Sequence, residues 1–353
     1  MSQSRMPSLE LVQDSKVLLQ KGYRVTSYDV AKRAGVSQSA VSRCFKPGAS
    51  VSKKMRDRVM KAVAEMGYQP NAIARSLITR RSNLVGVILS DFTSLHYPEV
   101  LFELNHGFSN RGVHILLFTL HRERDVDEII EQVFQYQVDG VVVAATLLPE
   151  QIDRFEERNL PLVFFNRTIQ DRSVSAVCCD QAAGERLLVN ALVNAGHKTF
   201  GVISGPEDSL VSVQRTAGAR DRLSELGFDN VPILQGDYSY DSGQQGAREL
   251  VDRFKGQLDA IICANDVMAI GCMDTLRKEF SLEIPDDISV VGFDGITPAI
   301  WSGYNLTTIR QPVKQMSEAA VDMVMDRVDN PDKVPEMRVF SGNMQNGSSA
   351  RIL

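Results

Sequence analysis

The sequence predicts an α/β protein, with an N-terminal helix-turn-helix head followed by a core of two doubly wound parallel-sheet subdomains. Three observations carry that expectation. A chain of 353 residues has room for about two ordinary domains or more. From residue 84 onward, short runs rich in Val, Ile and Phe alternate with stretches of helical spacing, the pattern of a parallel sheet wrapped by helices. Finally, residues 1–81 hold 16 Lys and Arg against 5 Asp and Glu, net +11, whereas residues 82–353 hold 23 against 39, net −16. The total of −5 therefore hides a small basic module on a large acidic one, and such a division implies different partners, with a polyanion for the basic part.

In the basic part, Thr26 is placed to cap a helix over 27–34, with Asp29 three residues on as an acidic variant of the capping box, and Gly35 ends it. Ser37 caps a second helix from Gln38 to about Phe45, before Lys46-Pro47-Gly48. Ser52 caps a third, in which Met55, Val59, Ala62, Val63 and Met66 share a face and Gly67 stops the run. The first two helices, joined by Ala34-Gly35-Val36, make a helix-turn-helix whose wedge Ala31, Val36 and Val41 fill. Its second helix then presents Gln38, Ser39, Ala40, Ser42 and Arg43, small or polar groups able to approach base edges in a major groove. Residues 1–23 show no clean pattern and are expected to be a loosely ordered extension.

Between head and core runs Gln69-Pro70-Asn71-Ala72-Ile73-Ala74-Arg75-Ser76-Leu77-Ile78. Asn71 can cap a helix of about eight residues, too short to be stable alone. Either this is a plain linker, or two copies meet on DNA, where Ile73, Ala74 and Leu77 pack together and an apolar side chain wedges into the minor groove.

The core strands are read at 84–90, 113–120, 140–145, 162–166, 199–205, 260–265 and 288–294, with helices over 97–111, 125–137, 181–195, 212–226, 241–254 and 266–279. About ten strands exceed what one such sheet usually holds, so two subdomains with a cleft between them are expected. Ligands in open α/β sheets sit beyond the carboxyl ends of strands. Several runs here end in polar or small pairs: Ser90-Asp91, Asn166-Arg167, Cys179-Asp180, Ser204-Gly205, Asn265-Asp266 and Asp294-Gly295.

Several function classes are disfavoured. No apolar run is long enough to span a bilayer, and Glu10, Asp14 and Lys16 interrupt any secretory h-region, so a cytoplasmic protein is expected. Five cysteines, none in a C-x-x-C pair, fit reduced thiols better than a disulfide framework, with Cys178 and Cys179 expected to be buried and free. The phosphate-loop, zinc-protease, nucleophile-elbow and dinucleotide motifs are missing and the five histidines are scattered, so no catalytic residue, metal or cofactor is expected. A sugar-active enzyme or a solute-binding protein on the same core are the alternatives, and neither explains the basic head.

VTSYDVAKRAGVSQSAVSRCF, then VSKKMRDRVMKAVAEMGYQPNAIARSLITRRSNLVGVILSD, resembles the DNA-binding head and hinge of the lactose-repressor (LacI/GalR) transcriptional regulators. The likeness continues through RTAGARDRL, GDYSYDSG, CANDVMAIG, ISVVGFD and LTTIRQP, covering roughly residues 24–350. It implies a periplasmic-binding-protein-like core, a homodimer on double-stranded operator DNA, and a small effector in the cleft, with sugars or sugar derivatives favoured. It also implies boundaries: a helix-turn-helix domain over 24–69, a hinge helix or linker over 70–81, and a core over 82–353. Within that core an N-subdomain takes about 82–181 and 312–340, and a C-subdomain about 182–311 and 341–353.

By position, the resemblance puts Gln38 and Ser39 at base-reading places, Ser42 and Arg43 on phosphate and bases, and Tyr28 and Ser37 on phosphate. Leu77 stands at the intercalating hinge leucine, with Asn71 and Ala74 as its hinge neighbours. In the core it implies effector contacts from Arg215, Asn265 and Asp294, with Tyr238 stacking and His96, Tyr97 and Ser209 nearby. That set suits a polyhydroxylated ligand, because a guanidinium donates in a planar fork while a carboxylate and a carboxamide accept. Cys44-Phe45-Lys46-Pro47-Gly48 and Asn346 depart from the family pattern, and no leucine heptads follow, so the half-site sequence stays open and a tetramerising tail is not expected. Whether effector relieves or strengthens operator binding also stays open.

Overall fold

The computed structural model describes residues 25–46, 48–69, 81–90, 95–120, 126–169, 172–255 and 257–352. The chain divides into two compact units, Met1–Ser82 and Asn83–Leu353. Among the described residues of the first, three helices form as their caps dictate: α1 (Ser27–Ala34), α2 (Gln38–Cys44) and α3 (Lys53–Met66). Thr26 and Asp29 close the reciprocal capping box, Ser37 and Ser52 cap the next two helices, and Gly35 and Gly67 end α1 and α3 in the left-handed region. Val30, Ala31, Val41, Cys44, Val59 and Ala62 make the small core, with Val36 packed against it. An Arg33–Glu65 ion pair ties α1 to α3, and the Arg56 guanidinium donates to the Cys44 carbonyl at the end of α2, 3.2 Å away.

The second unit carries two six-stranded sheets. The first holds β1 (Leu84–Ser90), β2 (His114–Leu120), β3 (Gly140–Ala144), β4 (Leu162–Phe165), β5 (Ala176–Cys179) and β11 (Met337–Phe340), in the order β2-β1-β3-β4-β5-β11, all parallel. The second holds β6 (Phe200–Ser204), β7 (Ile233–Gln235), β8 (Ala260–Cys263), β9 (Ser289–Asp294), β10 (Thr307–Arg310) and β12 (Asn343–Gln345), in the order β7-β6-β8-β9-β10-β12. Only β12 runs antiparallel, against β10. The central strands are buried on both faces, which is why they read as unbroken apolar runs.

Helices α4 (Tyr97–Ser109), α5 (Val126–Gln135), α6 (Pro149–Glu157) and α11 (Val313–Asp329) accompany the first sheet. Helices α7 (Gln181–Asn194), α8 (Leu210–Glu225), α9 (Tyr240–Phe254) and α10 (Asp266–Glu279) accompany the second. The chain therefore changes sheets after β5, again after β10, and a last time between β11 and β12. Strands β7, β10, β11 and β12 and helices α6 and α11 were not among the sequence expectations, and β5 was expected only through its end at Cys179-Asp180. The strands are only three or four residues long, and β10 carries two fully buried threonines, so neither length nor hydrophobicity marks them.

Helices α9 and α10 pack unusually closely through a reciprocal pair of glycines. A Cβ on Gly243 would lie 2.1 Å from the Met268 carbonyl oxygen, and one on Gly271 would lie 2.1 Å from that of Tyr240. This contact fixes the two helix starts, and with them the loops that carry Tyr238 and Asn265. Gly243→Ala is expected to lower the unfolding free energy by about 2 kcal/mol, overpacking outweighing the better helix propensity of alanine. A urea midpoint equal to or above that of the parent chain would contradict this packing.

Candidate functional site

The head presents a polar face built on α2. Ser39, Ser42 and Arg43 are exposed and lie at i, i+3 and i+4, so they share one side of the helix, and Tyr28 on α1 is exposed as well. Ser37 is exposed, but its hydroxyl is already engaged: it caps Ala40 N–H at 3.2 Å and meets the Ser39 hydroxyl at 3.0 Å. Gln38 is half-buried, and its carboxamide donates to the Ser27 hydroxyl at 3.3 Å. The expectation that Ala40 joins this face is corrected. Ala40 is buried, because the turn from α1 rotates it inward together with Val41. Asn71, Ala74 and Leu77 lie outside the described residues, as do residues 1–24.

In the second unit, the centre of the site is the buried guanidinium of Arg215. Its Nε donates to Gln181 Oε1 (2.7 Å), Nη1 to the Ala264 carbonyl (2.6 Å) and Nη2 to Asp294 Oδ1 (2.7 Å), and its face lies 3.8 Å over the Phe293 ring. Burial opposes its charge, but the Asp294 carboxylate, together with smaller contributions from Tyr238 and Glu185, outweighs it and the net shift of its pKa is upward.

The bonds continue into a closed ring. Gln181 Nε2 donates to Asn166 Oδ1 (3.3 Å), Asn166 Nδ2 to Gln311 Oε1 (2.7 Å), and Gln311 Nε2 back to Asp294 Oδ1 (2.8 Å). Five side chains thus close on themselves: Arg215, Gln181, Asn166, Gln311 and Asp294. Asn166 follows β4 directly in the first sheet and Asp294 ends β9 in the second. Gln181, the first residue of α7, stands two residues beyond β5, and Gln311 stands immediately beyond β10, both where the chain changes sheets. The ring is therefore a polar clasp at two of the crossovers.

Around it sit the remaining candidates. Asn265 caps α10 by accepting from Met268 N–H at 2.9 Å, and its Nδ2 donates to the Tyr238 carbonyl at 3.1 Å. The Tyr238 ring fills the place that a side chain on Gly205 would take, since a Cβ there would be 2.3 Å from its Cε1. Its hydroxyl lies 3.4 Å from that of Ser209, the cap of α8. Asn166, Tyr238 and Asp294 all hold positive φ (50°, 68° and 119°), a conformation costing on the order of 1–3 kcal/mol that collects at functional sites.

His96 is buried, and its Nε2 has no hydrogen-bond partner among the described residues. Burial lowers its pKa, Asp294 raises it and Arg215 lowers it again, so the imidazole is neutral at pH 7 and within electrostatic reach of the ring. Tyr97 differs: its hydroxyl already donates to the Ala144 carbonyl at 3.2 Å, within the core of the first sheet.

Residue-by-residue reading of the sequence missed Asn166, Gln181 and Gln311 as ring members, although all three directly end or follow strands. It also missed Glu185, one turn after Gln181 on α7. Glu185 is buried with neither carboxyl oxygen hydrogen-bonded among the described residues; burial pushes its pKa up to about 8, with Arg215 pulling down and Asp294 pushing up. Asp266 is also buried and pushed up to about 8, chiefly by burial and by Asp294, against bonds from the Thr308 hydroxyl (2.5 Å) and Ile296 N–H (2.8 Å). Cys178 and Cys179 are free thiols raised to about 11, mainly by burial; Cys179 is buried as expected, whereas Cys178 is only half-buried. Among the described residues, no group of three or more His, Cys, Asp or Glu could hold a metal, and no helix is long and apolar enough to cross a membrane.

Residues 26–71 match the family model "Bacterial regulatory proteins, lacI family", and residues 189–350 match "Periplasmic binding protein-like domain". The HTH-type transcriptional regulator AscG of Escherichia coli (strain K12) is 30% identical over 326 residues, covering 90% of this chain and 96% of that protein. The chain belongs to the lacI family. Within the family, the HTH-type transcriptional regulator CelR of Thermobifida fusca is also 30% identical, over 92% of this chain and 98% of CelR. The lac repressor dimer bound to operator and the anti-inducer ONPF superposes with a TM-score of 0.84 at 26% identity, covering 92% of this chain and 99% of that one. A CelR–cellobiose complex superposes at 0.71, with 27% identity over 93% of this chain and the whole of the other. This lacI-family chain is accordingly a DNA-binding transcriptional regulator with a periplasmic-binding-protein-like core.

The buried acid gives a pH test of the lacI-family core. An unfolded glutamate titrates near 4.3, so between about pH 4.3 and 8 the folded chain keeps a proton that the unfolded chain has released. Stability contributed by this group is fully present below the unfolded value and is lost as pH rises towards 8. Glu185→Gln removes the titration, and its stability relative to the parent should grow by a few kcal/mol from pH 4.5 to pH 8. Urea unfolding of both proteins at the two pH values measures this; parallel pH dependences would show that Glu185 does not hold its proton.

Proposed function

We propose that this chain is an effector-controlled repressor: a homodimer grips operator DNA with its two heads, and a sugar or sugar derivative bound at the Arg215 ring tunes that grip. The observation that carries the effector reading is the unused hydrogen-bonding capacity around the ring. Arg215 has five N–H groups and three are engaged. Asp294 accepts both of its bonds on one oxygen, leaving Oδ2, and His96 Nε2 is unpartnered among the described residues. The Ser209 and Tyr238 hydroxyls and the second Asn265 N–H add both donors and acceptors. Alternating donors and acceptors of this kind suit vicinal hydroxyls. That CelR is known as a cellobiose complex supports the same ligand class.

In this reading, Gln38, Ser39, Ser42 and Arg43 meet base edges and phosphates, and Tyr28 and Ser37 meet phosphates. Asn71, Ala74 and Leu77 form the hinge that orders on DNA. His96, Ser209, Arg215, Tyr238, Asn265 and Asp294 hold the effector, with Tyr97 supporting His96 from behind. Domain boundaries follow the division given above: head 24–69, hinge 70–81, core 82–353. The site binds without turnover, in keeping with relatives that are regulators and with thiols that stay protonated at neutral pH. We place the protein in the cytoplasm, with its DNA.

Arg215→Lys keeps the charge but loses the fork, so affinity for the sugar that emerges from a thermal-shift screen should fall at least about tenfold. Unchanged affinity by titration calorimetry would remove Arg215 from the effector site. On DNA, Gln38→Ala should relax preference at one base position per half-site by about 1–3 kcal/mol. Arg43→Ala should instead weaken binding across all sequences and flatten the salt dependence. Selection of operators from a randomised pool, read for both variants, distinguishes the two roles.

A further inference from the structure

A cavity of about 550 Å³ lies beside the ring but outside the effector set. Its walls come from the segment after β4, the end of β5, the starts of α7 and α8, and β11, so the first sheet and two helices that accompany the second border it. None of His96, Tyr97, Ser209, Arg215, Tyr238, Asn265 or Asp294 lines it, and it touches the ring only through Asn166 and Gln181. The volume is that of a small-molecule site.

Two features of the lining define what fits. One wall is apolar and open: Met337 and Val339 on β11 are each more than half exposed, although apolar, and Leu210 at the start of α8 is partly exposed beside them. Successive outward residues of an edge strand are normally polar, so an apolar pair facing a cavity marks a surface that gains by being covered. Opposite in character is Arg167. Its Nη1 donates to the Asn166 carbonyl at 2.8 Å, and it has no acidic partner among the described residues. Its neighbour Arg172, on the same wall, is matched by Asp153 and Glu156 at 2.8 Å each. The acid on the lining, Asp180, is turned to Ala183 N–H at 3.0 Å as the cap of α7. Among the described residues, the cavity therefore offers one guanidinium without an acidic partner, together with an apolar shelf.

We propose that this cavity is a second ligand site, for a small amphipathic anion: a phosphate or carboxylate met by Arg167, with an apolar body laid against Leu210, Met337 and Val339. Because Arg167 is anchored on the backbone of Asn166, an anion there pulls on a ring member. The second ligand and the cleft ligand are then linked, each changing the affinity of the other by the same factor.

Phenyl phosphate and inorganic phosphate are the probes, applied to the full-length protein in thermal-shift and calorimetric titrations. Phenyl phosphate at about ten times its dissociation constant should raise the melting temperature by about 3 °C, and inorganic phosphate should bind at least about tenfold more weakly. Equal shifts from the two would mean an adventitious ion only. Arg167→Gln should abolish the phenyl phosphate shift. Met337→Glu, a change at an exposed edge position that leaves the core unaltered, should abolish it as well by placing a like charge on the shelf; retention of the shift in either variant overturns the proposal. Tyr238→Ala separates this site from the effector cleft: it should weaken sugar binding yet keep the phenyl phosphate shift. Loss of both together would show a single site and refute a second one, whereas loss of sugar binding alone leaves the second site standing, whatever the fate of the effector reading.

Discussion

Everything around the site follows from the need to keep one guanidinium charged in a place with almost no water. Burying an isolated cation costs several kcal/mol, and a single counter-ion seldom recovers that cost unless the remaining donors are also satisfied. Arg215 goes most of the way, with one partner for each of its three nitrogens, a carboxylate, a carboxamide and a main-chain carbonyl, and Phe293 against its face. Each partner then needs its own orientation held. Gln181 and Gln311 are turned by Asn166, whose two amide atoms point opposite ways, and the circle closes on Asp294. The consequence reaches the topology: two of the ring's side chains, Gln181 and Gln311, come from the segments at which the chain leaves one sheet for the other.

A second economy lies in the helix caps. Ser209, Asn265 and Asp180 cap α8, α10 and α7, so residues beside the ring or the neighbouring cavity also satisfy the first free N–H groups of the helices behind them. Helix starts gather at the carboxyl ends of parallel strands because each βα connection is short, and their dipoles make that rim favourable to acceptor groups. Losing one of these side chains therefore disturbs the start of a helix as well as the site.

Elements were legible in the sequence where a local rule acts alone. The caps at Thr26, Ser37 and Ser52 placed three helices to within a residue, because a hydroxyl bonded to the third N–H onward is decided by neighbours in sequence. The long central strands were equally plain. Short β7, β10 and β12 were not, since their pairing is set by partners far along the chain and their three or four residues carry no period. Ala40 was misplaced because helical spacing says which residues share a face but not which face the tertiary core takes. Arg215, Asn265 and Asp294 came from family resemblance, and their mutual geometry was hidden. Gln181 and Gln311 had only their places after strand ends to mark them, and Glu185 had not even that: glutamine and glutamate are ordinary surface residues until folding buries them.

A clasp of this construction can be firm and still be switched. Its members are held by hydrogen bonds of about 1 kcal/mol net each, somewhat more where Arg215 or Asp294 takes part. A ligand that changes operator affinity a hundredfold must favour one arrangement of the core over another by about 2.7 kcal/mol. Two or three exchanged ring bonds supply that difference, without any need to disturb the apolar sheets. Hydroxyls are apt agents for the exchange, since each both donates and accepts and so can enter a ring of amides without leaving a partner unsatisfied. Because Gln181 and Gln311 stand just beyond β5 and β10, a bond exchanged there acts on the segments by which the two sheets are connected, which is the route the proposed function requires from bound effector to the arrangement of the core.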